Sequence, residues 1–260
     1  MNKTGNDKPD VASQICFSIK DLSIGYRKPI VTGLNLQVKE GQYWGIIGSN
    51  GAGKTTLFKT ILGLIPPLTG QILFSSNHKN KIAYVPQQST IKTTLPLTVR
   101  ELILMPLMPL IPFKKPGPEV YERLAFFAEK LRIRHLLNKQ ISNISGGEKQ
   151  KSLICRALML GSKILLLDEP TNGMDIGSEK EILALLQKLN REDGYTILFI
   201  THFLANLLNE ADHFAIFSGR QVLTLSHQEL IGGNLLSELY QRSVRLDCVE
   251  NHYSICVGAE

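Results

Sequence analysis

Gly48-Ser49-Asn50-Gly51-Ala52-Gly53-Lys54-Thr55 fits the spacing GxxxxGK[ST], a run of residue types suited to cradling phosphates. Glycines let successive backbone N–H groups turn inward without Cβ clashes, the lysine reaches the β and γ phosphates, and the threonine hydroxyl ligates Mg²⁺. A helix opening near Lys54 and running on through Thr56 would point its positive dipole end at the same anion. A second chemical signal is Ile164-Leu165-Leu166-Leu167-Asp168-Glu169-Pro170, an apolar run that ends in two adjacent acids. Successive strand residues face opposite ways, so the two carboxylates take different roles. Asp168 would hold the magnesium ion, directly or through water, and Glu169 would face the γ-phosphate and orient or deprotonate the attacking water. A third is Ile144-Ser145-Gly146-Gly147-Glu148-Lys149-Gln150-Lys151, a glycine pair opening another helix. Taken alone it reads either as a second anion site or as an ordinary helix N-cap.

These groups need elements to hold them. Tyr43-Trp44-Gly45-Ile46-Ile47 reads as a short buried strand entering the phosphate loop, and Thr56 to Leu62 as the helix leaving it. Ile15 to Tyr26 and Leu34 to Val38 read as an antiparallel pair around an Arg27-Lys28-Pro29 turn. Gln71 to Phe74 and Lys81 to Val85 are further strands. From Thr98 to about Leu160 the texture turns helical, with Val120, Leu124, Phe127, Ala128 and Leu131 forming one apolar stripe. Strand–helix alternation then resumes. Lys163 to Leu167 and Tyr195 to Ile200 have the unbroken apolar character of central parallel strands, and Glu179 to Arg191 crosses between them. His213 to Phe217 and Gln221 to Leu225 suggest a hairpin, and the chain beyond it looks helical to about Arg242. The expected fold is α/β: a P-loop NTPase core with a mixed or parallel sheet, an N-terminal antiparallel β element and an inserted α-helical subdomain. Residues 1–13 read as a disordered N-terminus, 14–242 as the ATPase domain with its insertion at about 92–160, and 243–260 as a C-terminal tail.

With 260 residues and 43% hydrophobic content the chain can bury a large core. Its net charge of +6 is scattered rather than gathered into one run, which argues against a nucleic-acid partner. No apolar stretch reaches the roughly 20 residues of a membrane span, and Met1 to Pro9 lacks a signal-peptide core, so the expected location is cytoplasmic. Four cysteines without CxxC spacing suit reduced thiols. Cys248, His252 and Cys256 recur every four residues, which would align soft metal ligands if the segment were helical. Val249, Tyr253, Ile255 and Val257 instead favour a strand with no metal site.

In combination these motifs resemble, in the right order and over nearly the whole chain, the ATP-binding subunits of ATP-binding cassette (ABC) transporters. Ile144 to Glu148 is similar to the family's signature LSGGQ, with Ile144, Glu148 and Lys151 departing from the usual leucine, glutamine and arginine. The resemblance implies ATP as the nucleotide, with Mg²⁺. It implies that Tyr26 stacks on adenine and that Gln87, in Tyr84-Val85-Pro86-Gln87, contacts the magnesium. It makes Asp175 the loop aspartate that communicates between subunits, and His202 the histidine that holds the γ-phosphate and positions the water. Ser145, Gly146, Gly147 and Glu148 would act on the nucleotide of a second copy, so that two chains sandwich two ATP molecules head to tail. An integral membrane permease and an extracytoplasmic substrate-binding protein are further implied partners, placing the chain peripherally on the cytoplasmic face of the membrane.

Thr93 to Val99 and Glu169 to Asp175 are similar to the zinc and manganese importer branch, with the iron-chelate branch next. Met105-Pro106-Leu107-Met108-Pro109-Leu110-Ile111-Pro112 falls where the family meets its permease, and prolines at every third position suggest a polyproline-like stretch. Rival readings are a lipid or lipopolysaccharide exporter, a soluble ATP switch, and a module without turnover. The presence of Lys54, Gln87, Glu169 and His202 disfavours the last.

Overall fold

The structure is a computed structural model; it describes residues 14–78, 81–87, 96–108, 116–202, 204, 207–232, 244–249 and 252–257. The N-terminus 1–13, Thr93 to Leu95, and Pro109 to Pro112 therefore lie outside the described residues.

Strands β1 (Ile15–Gly25) and β2 (Pro29–Lys39) pair antiparallel, so Pro29 begins β2 rather than sitting in the turn. Next come β3 (Tyr43–Gly48), α1 (Lys54–Ile61), β4 (Thr69–Phe74) and β5 (Ile82–Val85). The helical segment holds α2 (Val99–Leu104), α3 (Pro118–Lys130) and α4 (Gly146–Leu158). The chain continues through β6 (Ile164–Asp168), α5 (Ile176–Arg191), β7 (Thr196–Thr201), β8 (His213–Ser218), β9 (Gln221–Ser226) and α6 (His227–Gly232). It closes with a hairpin, β10 (Val244–Val249) and β11 (His252–Val257). No helix among the described residues is long and apolar enough to cross a membrane.

One sheet has the order β2-β1-β4 and the larger one β5-β6-β7-β3-β8-β9, parallel except for the antiparallel edge strand β9. Alternation divides the larger sheet's side chains between two cores. Ile46, Leu166, Leu198 and Ile200 pack with α1 (Leu57, Phe58) and the antiparallel sheet. Tyr43, Leu165, Leu167 and Phe199 pack with the helical segment and with Ile182, Leu186 and Leu189 of α5. Both faces are covered, which is why the parallel strands read as unbroken apolar runs. Each fully buried aliphatic side chain contributes about 1.5–3 kcal/mol of transfer free energy.

In the expected stripe of α3, Leu124 and Ala128 are buried, as is Leu131 just after it, while Val120 and Phe127 pack partly against the core. The first part of the proline-spaced segment, Met105 to Leu107, differs from expectation. Met105–Leu107 is a 3₁₀ turn continuing α2, with Pro106 in the first helical positions, where a missing N–H loses nothing. Met108, the last described residue of the stretch, has the extended backbone anticipated for it.

The C-terminal segment is a strand pair, not a helix and not a loose tail. Its register sets Cys248 opposite Tyr253, His252 opposite Val249 and Cys256 opposite Arg245, so Cys248 alternates out of step with the other two residues. The shared helix face that would have aligned the three does not form. Tyr253 docks the hairpin on the domain: its N–H donates to Asn209 Oδ1 at 2.7 Å, and Asn209 Nδ2 donates back to its carbonyl at 2.9 Å. Cys16 and Cys155 are buried thiols, pushed up to about 11 and about 12 by burial, and so are poor nucleophiles.

Candidate active site

Parallel strands end on one edge, and here four of them end together. The phosphate loop follows β3, Gln87 follows β5 by two residues, Asp168 and Glu169 end β6, and His202 follows β7. The chain order reverses around β3, between β7 and β8, the kind of switch point where α/β sheets bind ligands.

The loop's shape rests on glycine where the backbone is left-handed: Gly51 has φ 82° and Gly53, at the N-cap of α1, has φ 102°. A Cβ on Gly53 would also lie 3.0 Å from Ile30 Cγ2. Ala52 N donates to the Ser49 carbonyl at 3.2 Å, tightening the turn. Whereas α2, α4 and α5 begin with side-chain caps, α1 has none, so its first N–H groups face the loop. Lys54, 5% exposed, donates to the carbonyls of Gly48 (2.6 Å) and Ser49 (2.9 Å) and so lies along the loop it serves. Burial pulls its ammonium below the ordinary 10.5, against the opposing pull of Glu169 and Asp168.

A cleft of about 460 Å³ runs along Asn50, Gly51, Gly53, Lys54, Thr55 and Thr56. Tyr26 and Ile30 of the first hairpin line it, as do Gln87, Asp168, Glu169 and Asn172. Its size falls in the usual range for small-molecule sites. Tyr26 is 64% exposed in the turn between β1 and β2, a costly place for an aromatic ring unless a flat ligand stacks on it.

Asp168 is nearly buried. Thr55 Oγ1 donates to its Oδ1 at 3.2 Å and Tyr84 Oη to its Oδ2 at 3.1 Å. Burial raises its carboxyl above the ordinary 3.8, and those two hydrogen bonds work against the rise. Glu169 leaves the strand with φ 46°, a left-handed conformation rare for a non-glycine residue and of the kind found at functional sites. Both carboxylates line the same cleft despite the alternation of strand residues, because the backbone turns at Glu169, and the two acids differ by their hydrogen-bond partners. Gln87 Nε2 donates to Glu169 Oε2 at 3.1 Å and Asn172 Nδ2 donates to the same oxygen at 2.8 Å. His202 Nδ1 lies 3.5 Å from Oε1.

The sequence therefore marked the phosphate loop, Tyr26, Gln87, Asp168, Glu169 and His202, and the fold brings them together. Tyr84 and Asn172 were missed, although each stands inside a quoted motif, because their roles lie in cross-strand and turn geometry. Ser145, Gly146, Gly147, Glu148 and Asp175 line no part of this cleft. Ser145 instead caps α4, its Oγ accepting from Glu148 N at 3.2 Å while its own N–H donates to Glu148 Oε2 at 2.8 Å. Such a reciprocal box accepts glutamate or glutamine at the third position, so Glu148 is locally equivalent to the glutamine it replaces. Asp175 caps α5 through Ser178, accepting from its N–H at 2.9 Å and from its hydroxyl at 2.7 Å.

The sheet order, phosphate loop and paired acids define a P-loop nucleoside triphosphatase. Residues 31–172 match the family model described as ABC transporter. The chain is 37% identical over 72% of its length to the manganese transport system ATP-binding protein MntB of Listeria monocytogenes, covering 80% of that protein. To the zinc transport system ATP-binding protein TroB of Treponema pallidum it is 31% identical over 91% of its length and 94% of that protein's. Among solved structures, an inward-facing conformation of a metal-chelate type ABC transporter superposes with a TM-score of 0.84 over 95% of this chain and 98% of that one, at 23% identity. The chain belongs to the ABC transporter family, as an ATP-binding, ATP-hydrolysing subunit.

Proposed function

We propose that this ATPase powers the import of a divalent transition metal, manganese or zinc, or of a metal chelate. The cargo rests on the transport systems named for its relatives and on the motif likeness after Gln87 and Glu169. The catalytic reading rests on one observation: a carboxylate held by an amide pair at one oxygen and facing His202 at the other, in the same cleft as Lys54.

In the proposed reaction Tyr26 stacks on adenine, while loop amides and Lys54 hold the phosphates. Glu169 takes the proton of the attacking water as its oxygen bonds to the γ-phosphorus, and ADP departs. His202 holds the γ-phosphate and the water in line. The donor set suits Mg²⁺, which takes hard oxygens: Thr55 Oγ1 and Asp168 Oδ1 already stand 3.2 Å apart, and Gln87 offers a carboxamide oxygen. When bound, the ion would neutralise charge on the β and γ phosphates.

The Ser145–Glu148 turn, which lines no part of the chain's own cleft, would complete the cleft of a second copy, with Asp175 at the same junction. Hydrolysis would open the pair, and the helical insertion at about 92–160 would pass the motion to a permease at the cytoplasmic face of the membrane. An extracytoplasmic binding protein would deliver the metal. In this reading the ATPase unit spans 14–242 and the remainder is appended.

Glu169→Gln tests the base directly. It should leave ATP affinity intact, abolish steady-state turnover down to a slow residual hydrolysis, and trap a closed dimer on a sizing column; hydrolysis near the wild-type rate would refute the role. For the cargo, ATPase activity of the reconstituted transporter should rise with manganese- or zinc-loaded binding protein.

A further inference from the structure

We propose that Asn172 is a positioning residue for Glu169, fixing which carboxylate oxygen takes the proton from water; the inference rests on the reading of Glu169 as the base. The turn that follows the strained Glu169 backbone closes with Asn172 N donating to the Glu169 carbonyl at 3.2 Å. This returns the Asn172 side chain onto the very residue that starts the turn, with Nδ2 donating to Oε2 at 2.8 Å. Gln87 Nε2 loads the same oxygen at 3.1 Å. Oε1 instead faces His202 Nδ1, 3.5 Å away.

A carboxylate oxygen that accepts two N–H donors has its lone pairs engaged and its charge drawn toward them. The less encumbered oxygen is then the better proton acceptor, and rotation about the terminal torsion, otherwise soft, is restrained. Asn172 thus makes the two oxygens of Glu169 unequal.

The two donors are not interchangeable. Gln87 sits on the segment after β5, and its carboxamide oxygen has a second task toward the metal ion. Asn172 shares Glu169's own turn and keeps its grip whatever Gln87 does. It also lines both the nucleotide cleft and a smaller cavity of about 90 Å³ that His202 and Glu179 line from their side. It therefore stands between the two spaces at the level of the reacting carboxylate. A short side chain carrying an N–H is what the geometry needs. Aspartate has the same shape, but it would set a second negative oxygen against Oε2.

The test compares Asn172→Ala and the isosteric Asn172→Asp, each as the full chain, in the wild-type and Glu169→Gln backgrounds. Steady-state turnover is read in the first background and single-turnover residual hydrolysis in the second. The expected result is a kcat lowered about tenfold or more for Asn172→Ala, a larger loss for Asn172→Asp, and a KM for ATP within about twofold of wild type. In the Glu169→Gln background the same substitutions should leave the residual rate unchanged, because the group they act through is gone. A kcat within twofold of wild type, or equal fold losses in both backgrounds, would overturn the proposal. If the alanine variant fails to fold, the aspartate variant supplies both comparisons. Undiminished turnover in Glu169→Gln alone would sink the base assignment instead, so the two failures are distinguishable.

Discussion

Two inactive variants of this chain should restore activity when mixed. Ser145→Ala removes one acceptor from the α4 cap, a loss of about 1 kcal/mol that lowers Tm by about 2–4 °C in a chain of this size. It leaves its own nucleotide cleft untouched, since Ser145 does not line it. Lys54→Ala does the reverse, emptying the cleft of its cation while keeping the serine turn. In a head-to-tail pair each site takes Lys54 from one chain and Ser145 from the other. Both homodimers are then inactive, and a mixed dimer holds one complete site and one lacking both groups.

Random pairing at equal concentrations makes about half the dimers mixed, so about a quarter of wild-type phosphate release should return if the sites act independently. The assay is phosphate release on titrating one variant into a fixed amount of the other, with a maximum near equal amounts. A mixture no more active than the average of its components would refute the argument, and the Ser145 turn would then be only the cap it forms in the single chain.

Replacing Tyr26 by Ala should raise the KM for ATP about tenfold with little change in kcat, because base stacking on an aromatic ring contributes about 1–3 kcal/mol, and Tyr26→Phe should restore it; nucleotide titration checks both. Acid should unfold the protein partly through its helix caps. Hydrogen bonds from Ser145 hold Glu148 below the ordinary 4.5, and those from Thr98 do the same for Glu101, so each contributes stability above that value that is lost as pH falls through the depressed one. Denaturation midpoints should fall as pH drops from the ordinary 4.5 through the depressed values, and Glu148→Gln, which keeps a reciprocal cap, should make the fall shallower.

What could be read from the chain and what could not follow a physical divide. The phosphate loop was legible because its chemistry is local: the glycines, Lys54 and Thr55 work through backbone torsions and reach set within eight residues. The paired acids were legible as a strand end, but not the left-handed turn at Glu169 that leaves both on one cleft. Asn172 and Tyr84 were invisible as functional residues, since one needs that turn and the other needs β5 and β6 to be neighbours. Pro106 misled because proline suits both the extended backbone and the first turn of a helix, and the preceding α2 decides between them there. The end of the chain was legible in part: Val249, Tyr253, Ile255 and Val257 favoured a strand and belong to a hairpin anchored by Asn209, while the helix expected to about Arg242 falls, past α6, outside the described residues.

A Cβ on Gly147 would lie 3.0 Å from Ser178 Oγ and 3.1 Å from its Cβ, and that same hydroxyl donates to Asp175. The first turns of α4 and α5 thus meet closely at Ser178. If Asp175 takes the intersubunit role proposed for it, a displacement there would reach the start of α4, and Ser145 with it, through Ser178. A larger residue at 147 would have to displace Ser178.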